Sequence, residues 1–322
     1  MWWFCKFHVS RLMRRWMGLG LGVLGLGSGG LGLPALAMTQ AECEAEADYV
    51  YIPTGPFLLG STPEERDYGY QISALAAAND PAETDRIEQQ LRQQRWFAGE
   101  PDQQSLTLDA FCLRQHLVTQ ADYQQFVIAT QHRAPGISAD DYQRQGFLVH
   151  PYSSVEAYLW QATQFPPSRS DHPVVLVSLA DAQAYANWLT EKDPEWNYQL
   201  PSRQQWEKAA RGTDGRWFPW GNAWQDEATN WGGIDPQGTS GIGAFPLSRG
   251  PYGVEDMAGN VFEYTSTLLT RGDQQVVVMK GCSWDDLPGF CRAAYQHTRP
   301  PESRHILFGF RLVRSPFPPE SN

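Results

Sequence analysis

Apolar and polar positions alternate along this chain in short stretches, which predicts many small elements. Residues 49–61, YVYIPTGPFLLGS, indicate two short strands around a Pro-Thr-Gly turn. Residues 105–113 predict another strand, because Leu106, Leu108 and Ala110 alternate with polar neighbours. Buried strands are also predicted at 172–177, 276–279 and 308–313, where apolar residues run together.

Helical periodicity behind N-cap residues predicts three core-facing helices. Thr119 caps a helix that ends near Thr130, Ser178 caps residues 179–190, and Ser202 caps a helix that Gly212 ends. Residues 64–97 hold two polar helical stretches, 72–78 and 84–95, which we interpret as a helical surface insertion.

Two long stretches have little periodicity. Residues 134–171 are an aromatic-rich connector, for which a functional lid and a packed loop both stay open. From residue 216 onward the chain is nearly all turns, and no internal repeat is present. The pattern as a whole predicts an α+β fold with little regular secondary structure.

The first 37 residues indicate export. Lys6, Arg11, Arg14 and Arg15 precede an uncharged run rich in Leu and Gly, and we expect a signal peptide over 1–37 that is cut after Ala37. The Arg pair allows twin-arginine export as well as the Sec route. The many glycines in the run argue against a stable membrane anchor. We therefore expect a periplasmic mature chain, 38–322, that forms a single domain.

Net charge limits the partners. Residues 1–37 contain four basic and no acidic residues, so their loss takes the net charge from −11 to −15. This acidity argues against a nucleic-acid partner and against an anionic membrane surface. A small-molecule or peptide-derived substrate is the expectation.

Cysteine usage agrees with export. Cys43, Cys112, Cys282 and Cys291 remain after the signal is removed, and an even number in an oxidising compartment favours disulfides. Three pairings stay open, one of which joins Cys282 to Cys291 across a short loop. Cys291 is either half of such a bridge or a reactive thiol.

The densest cluster of reactive side chains lies in residues 280–313, KGCSWDDLPGFCRAAYQHTRPPESRHILFGFRLV, between two apolar stretches. Side chains on a loop that strands hold in place commonly form a site.

Eight pieces of the chain, in order, resemble the formylglycine-generating enzyme (sulfatase-modifying factor) family. They are PTGPFLLGS, VTQADYQQF, HPVVLVSLADAQAYANWL, LPSRQQWEKAARG, FPWGNAW, PYGVEDMAGNVFEYT, KGCSWDD and GFRLV, between residues 49 and 313. The resemblance implies that family's variant of the C-type-lectin-like fold, in one domain, with structural calcium.

The calcium ligands are implied at two places. Asn260 with its neighbouring carbonyls and Glu263 would form one site, since calcium prefers mixed oxygen ligands. Asn230, Trp231 and Asp235 would form the second, in a loop shorter than the family's.

The resemblance departs at the copper pair. The family's enzyme binds copper(I) with two cysteines, and the matching positions here are Asp286 and Cys291. A carboxylate is a poor ligand for copper(I). We therefore expect no copper and no formylglycine synthesis, although a copper-dependent formylglycine-generating oxidase stays an alternative.

An exported branch of the family, which matures siderophores of the pyoverdine type, matches the ending of this chain better. This implies an oxidase-like tailoring enzyme for a secreted metabolite such as a siderophore precursor, with other periplasmic tailoring enzymes as partners. A non-catalytic lectin-like binding module is the second alternative.

Oxidation of a phenolic or catechol-like ring needs a base, cations that hold an oxyanion, and aromatic walls. Glu302 or Asp286 is the candidate base. The anion-holding candidates are Arg292, His297 and Arg299, and the candidate substrate contacts are Trp284, Tyr264, Ser283 and His305.

Overall fold

The computed structural model describes residues 38–45, 48–146 and 149–317. The predicted export signal, residues 1–37, lies outside these residues. Within the described ranges, no helix combines the length and apolar character needed to cross a membrane.

Short helices and strands alternate along the chain. The helices are α1 (Gln40–Cys43), α2 (Pro63–Ala77), α3 (Pro81–Gln93), α4 (Gln120–Thr130), α5 (Ala139–Gln145), α6 (Tyr152–Glu156), α7 (Leu179–Lys192) and α8 (Arg203–Arg211). The strands are β1 (Tyr49–Ile52), β2 (Gly55–Leu59), β3 (Gln104–Leu108), β4 (Phe111–Arg114), β5 (Trp196–Gln199), β6 (Phe262–Arg271), β7 (Gln274–Lys280), β8 (His297–Arg299), β9 (Phe308–Gly309) and β10 (Val313–Pro316).

Three small sheets carry the fold. One has the order β1-β4-β10-β5, with antiparallel pairs, and joins the beginning of the described chain to its end. A second sheet consists of the antiparallel pair β2-β3, with α2 and α3 between the two strands in the chain. The third sheet has the order β8-β7-β6-β9 and positions residues 280–313, because β7 leads into that segment while β8 and β9 lie within it.

Helix N-termini follow the predicted capping residues. Thr119, Ser178 and Ser202 each accept a backbone hydrogen bond from the third residue of their helix. Gly212 ends α8 with a φ of +67°, a conformation that glycine adopts at little cost.

The predicted helical insertion contains two helices, α2 and α3, and both begin earlier than expected because Thr62 and Asp80 cap them. The description as a surface insertion needs correction, since α2 is buried along one side against Pro288–Cys291. A Cβ at Gly289 would lie 2.2 Å from the carbonyl oxygen of Gly69. The two backbones therefore touch, and the insertion belongs to the core that supports residues 280–313.

Three predicted strands differ in the structure. Residues 173–177 are buried, and the stretch 172–177 forms an isolated bridge at Pro173 rather than a ladder, because its neighbours are loops. The stretch 105–113 divides into β3 and β4, and 308–313 contains β9 and only the first residue of β10.

The described residues contain two disulfides, one between distant parts of the chain and one across a short loop. Cys43 bonds to Cys112, which ties α1 to β4, and Cys282 bonds to Cys291 within the candidate site segment. The reactive-thiol interpretation of Cys291 is therefore wrong for this structure.

Candidate functional site

The turn after β7 places two adjacent carboxylates at the edge of the third sheet. Gly281 allows the sharp exit from β7 with a φ of +74°. The backbone N–H of Trp284 donates to the backbone carbonyl of Asn260 at 3.1 Å. The backbone N–H of Gly232 donates to the backbone carbonyl of Asp286 at 3.0 Å. These two bonds fix Trp284, Asp285 and Asp286 between neighbouring loops.

Asp286 is partly buried, and the pKa of its carboxyl group is raised. Its Oδ2 accepts hydrogen bonds from the backbone N–H of Ser283, at 2.8 Å, and from the Ser283 hydroxyl. Burial, with a contribution from the charge of Asp285, raises the pKa of Asp286 to about 7, although the Ser283 hydrogen bonds and Arg299 oppose the rise. A carboxyl group with this pKa exchanges protons at neutral pH, as general acid–base chemistry requires.

The connector covers this turn. Nε2 of His150 lies 3.2 Å from Oδ2 of Asp285, an ion-pair distance without the alignment of a good hydrogen bond. The His150 ring also packs on the indole of Trp284, with ring centroids 5.0 Å apart. The indole N–H of Trp284 is buried and has no partner in the structure. A buried donor without a partner is uncommon in folded proteins, which makes this indole N–H a candidate contact.

A second group of side chains lies beside Asp286. The Tyr295 hydroxyl and Nδ1 of His297 are 3.3 Å apart, and the charges of Asp286 and Arg299 both act on Tyr295. Burial holds the pKa of His297 well below its ordinary value, so its ring is neutral. Arg299 is only partly buried and remains close enough to attract Asp286.

Several predicted roles do not fit the structure. Arg292 is fully buried and both its terminal nitrogens contact Glu100, at 2.6 and 3.1 Å, so it holds a structural partner rather than a substrate anion. His297 cannot act as a cation because it is neutral. Tyr264 is buried and its hydroxyl donates to the Ser303 carbonyl at 2.6 Å, which makes it a core residue.

The remaining predicted residues divide between the turn and its surroundings. Ser283 binds Asp286, as described above. His305 is buried and neutral, since burial lowers its pKa to about 3, and it faces the connector. Glu302 is exposed and lines an open cavity of about 350 Å³ together with Arg133, Arg144 and Arg304. Of the two candidate bases, Asp286 therefore lies in the more enclosed place.

The residues at the two copper-ligand positions of the family do not suit copper(I). Asp286 occupies one of the two positions, and Cys291 at the other is bonded to Cys282. A disulfide sulfur is not the thiolate that copper(I) prefers.

The predicted calcium ligands are also committed elsewhere. Both carboxylate oxygens of Glu263 accept from Arg311, at 2.6 and 2.8 Å, so Glu263 does not fit a ligand role. Asn260 uses its side chain on the backbone of Ser240. Among the described residues, no three His, Cys, Asp or Glu side chains gather in a way that could hold a metal ion.

The second predicted calcium site is similarly occupied. The Asn230 amide donates to the Gly238 carbonyl, the Trp231 indole donates to the Asp226 carbonyl, and Asp235 is exposed. Calcium bound through backbone carbonyls stays a prediction.

Sequence reasoning missed three residues that meet at this site: Tyr142, His150 and Tyr295. Tyr295 lies in residues 280–313, and its short distance in sequence from Asp286 could have indicated it. Nothing near Tyr142 or His150 in the sequence indicates contacts with residues more than 130 positions away.

Comparisons with known proteins agree with this description. A family model for the sulfatase-modifying factor enzyme 1-like domain matches residues 35–316. The inactive C-alpha-formylglycine-generating enzyme 2 of Mus musculus is 30% identical over 251 residues, which cover 67% of this chain and 79% of the relative. The formylglycine-generating enzyme of Mycobacterium tuberculosis is 28% identical over 287 residues, which cover 69% and 93%.

A solved structure shows the same fold. PvdO from Pseudomonas aeruginosa superposes with a TM-score of 0.60 at 21% identity, and the match covers 83% of this chain and 94% of that one. The chain therefore belongs to the sulfatase-modifying factor enzyme family and has the α+β fold of the formylglycine-generating enzymes.

Proposed function

We propose that this protein is an exported tailoring oxidase that acts on a phenolic or catechol-like ring of a secreted metabolite, such as a siderophore precursor. The substrate loses two electrons and two protons and gains one carbon–carbon double bond. Dioxygen is the acceptor and leaves as hydrogen peroxide, which balances the step. Family membership and the likeness to the exported branch support this class of reaction.

The observation that carries the proposal is Asp286, a carboxyl group whose pKa of about 7 lies in the family's active-site segment. In its ionised form it accepts the phenolic proton, and the resulting phenolate gives up electrons more readily than the phenol. Near neutral pH, such a base combines a useful ionised fraction with enough basicity.

Two neighbours suit the phenolate that forms. Arg299 brings a positive charge close to Asp286, and the unpartnered indole N–H of Trp284 offers a hydrogen bond. Donors and charges that are fixed in place before the reaction stabilise developing charge at little reorganisation cost. In this mechanism the phenolate is held between Arg299 and Trp284 while the ring is oxidised.

The test is metabolite profiling by mass spectrometry in a strain that lacks the gene. We expect a precursor that is heavier by two hydrogens, and loss of the mature product. Restoring the wild-type gene should restore the product, whereas Asp286→Asn should lower its formation by roughly 100-fold or more. Asp102→Asn, at an exposed residue, is the control that should complement fully. An unchanged profile in the deletion strain would remove the proposal.

One observation favours a different function. Two relatives of comparable similarity, from Bos taurus and Mus musculus, are named inactive formylglycine-generating enzymes. A non-catalytic binding module would leave the metabolite profile unchanged in the same experiment. Cell fractionation of the tagged full-length chain tests the periplasmic location, and recovery in the cytoplasmic fraction would contradict it.

A further inference from the structure

A chain of hydrogen bonds docks the connector on the candidate site. Nδ1 of His305 accepts from the backbone N–H of Leu307 at 3.3 Å, so in the neutral ring Nε2 carries the proton. Nε2 then donates to the Tyr142 hydroxyl at 3.2 Å, and this hydroxyl donates to the His150 carbonyl at 2.9 Å. Each donor has one acceptor, and the order of the bonds fixes the backbone of His150 above residues 280–313.

The docked backbone delivers the imidazole of His150 to Asp285. The ring is held from one side by Trp284 and ends 3.2 Å from the Asp285 carboxylate, and each of the two side chains is only 14% exposed. A contact at this depth is screened less by solvent than a surface pair. At this distance the imidazole offsets part of the negative charge that Asp285 presents to its surroundings.

Asp285 is adjacent to Asp286, and its charge opposes ionisation of that residue. The groups that face Asp286 are Ser283 and Asp285 from its own turn, Tyr295 from the following loop and Arg299 from β8. The groups that face His150 are Asp285, His305 and Tyr142. Asp285 is therefore the anion that both His150 and Asp286 meet.

We propose that His150 is a positioning residue for Asp286 and acts through Asp285, so that the docked connector holds the Asp286 carboxylate ready to accept a proton. The proposal rests on the function proposed above, in which Asp286 is the base. With the imidazole of His150 beside it, the charge of Asp285 opposes ionisation of Asp286 less than it would alone. Without His150, Asp285 opposes that ionisation more strongly, and Asp286 holds its proton to higher pH.

The test follows the titration of Asp286 itself, by carbon-13 NMR of protein labelled at aspartate carboxyl groups, with the resonance assigned through Asp286→Asn. His150→Gln keeps a hydrogen-bond donor but no charge, and we expect Asp286 to titrate about one pH unit higher than in the wild type. Asp285→Asn removes the anion and should move the titration by a similar amount to lower pH. His150→Lys keeps a cation and should restore the wild-type value or fall below it.

A matched control separates this effect from general disturbance. Nδ1 of His116 lies 3.1 Å from Oδ1 of Asp48, a histidine–aspartate contact of similar length after β4. His116→Gln should leave the Asp286 titration unchanged. If His150→Gln also leaves it unchanged, or moves it by no more than His116→Gln does, the proposal is overturned.

The same variants distinguish a failure of the oxidase function from a failure of the proposed role of His150. If Asp286 titrates as expected in all variants while the deletion strain keeps its metabolite profile, the pairing stands and the oxidase function fails. If the Asp286→Asn strain loses the product while His150→Gln shifts neither the NMR titration nor the pH profile of product formation, the function stands and the role of His150 fails.

Discussion

A buried ion pair between the insertion and the site segment should dominate the stability of this region. Arg292 and Glu100 have side chains that are 0% and 1% exposed, and the two terminal nitrogens of Arg292 contact the two oxygens of Glu100. Glu100→Gln removes the charge and keeps the shape. Because the guanidinium stays buried, its desolvation is then uncompensated.

The magnitude follows from what remains around Arg292. Breaking a buried pair by removing one partner costs about 3–5 kcal/mol. Glu65 still lies 3.6 Å from Arg292, and Gly289 still accepts from its Nε, so we expect the lower end, about 3 kcal/mol. For a chain of this length, that corresponds to a fall in Tm of roughly 6–12 °C.

The assay is thermal unfolding followed by circular dichroism at pH 8. Burial raises the pKa of Glu65 to about 7, so at pH 8 this remaining partner is ionised. The matched control is Asp102→Asn, which removes one partner of the Arg66–Asp102 pair, where the Asp102 side chain is 93% exposed. Exposed pairs contribute little, and Tm should not change measurably. Equal Tm values for Glu100→Gln and Asp102→Asn would refute the reasoning.

Two further predictions concern Asp286 and the cysteines. Burial raises the pKa of Asp286 from its ordinary 3.8 to about 7, so between these values the folded state holds a proton that the unfolded state has released, and stability falls as pH rises. Asp286→Asn should therefore raise Tm at pH 8 and leave it nearly unchanged at pH 4, and calorimetry that finds no gain at pH 8 would contradict the raised pKa. Because all four cysteines between residues 38 and 317 form disulfides, thiol titration of the denatured, unreduced mature protein should find no free thiol.

Local signals in the sequence predicted local structure well. The caps at Thr119, Ser178 and Ser202 were predictable because the side chain bonds to its own helix only three residues away. Strand boundaries were less predictable, since a ladder needs a partner strand. Residues 172–177 have the apolar character of a strand but lie among loops, and the backbone bends at Leu176, where φ is +62°, so no ladder forms.

The chemistry of the site depended on distant partners. Arg292 was predicted to hold a substrate anion, but it pairs with Glu100, which is 192 positions away. Glu263 was predicted to bind calcium, but it pairs with Arg311, which is 48 positions away. Nothing near either residue in the sequence indicates these partners. The segment itself and Asp286 were predictable from the cluster of reactive side chains and from the resemblance. The role of His150 was not, because it arises only when the connector folds back on the segment.

The contact between α2 and Pro288–Cys291 limits how this chain can change in evolution. Arg292 has its carboxylate partners, Glu65 and Glu100, at the two ends of the region that holds α2 and α3. Loss of that region would leave a buried cation alone. A relative that lacks α2 and α3 is therefore expected to carry an uncharged residue in place of Arg292, so that the insertion and this arginine are gained or lost together.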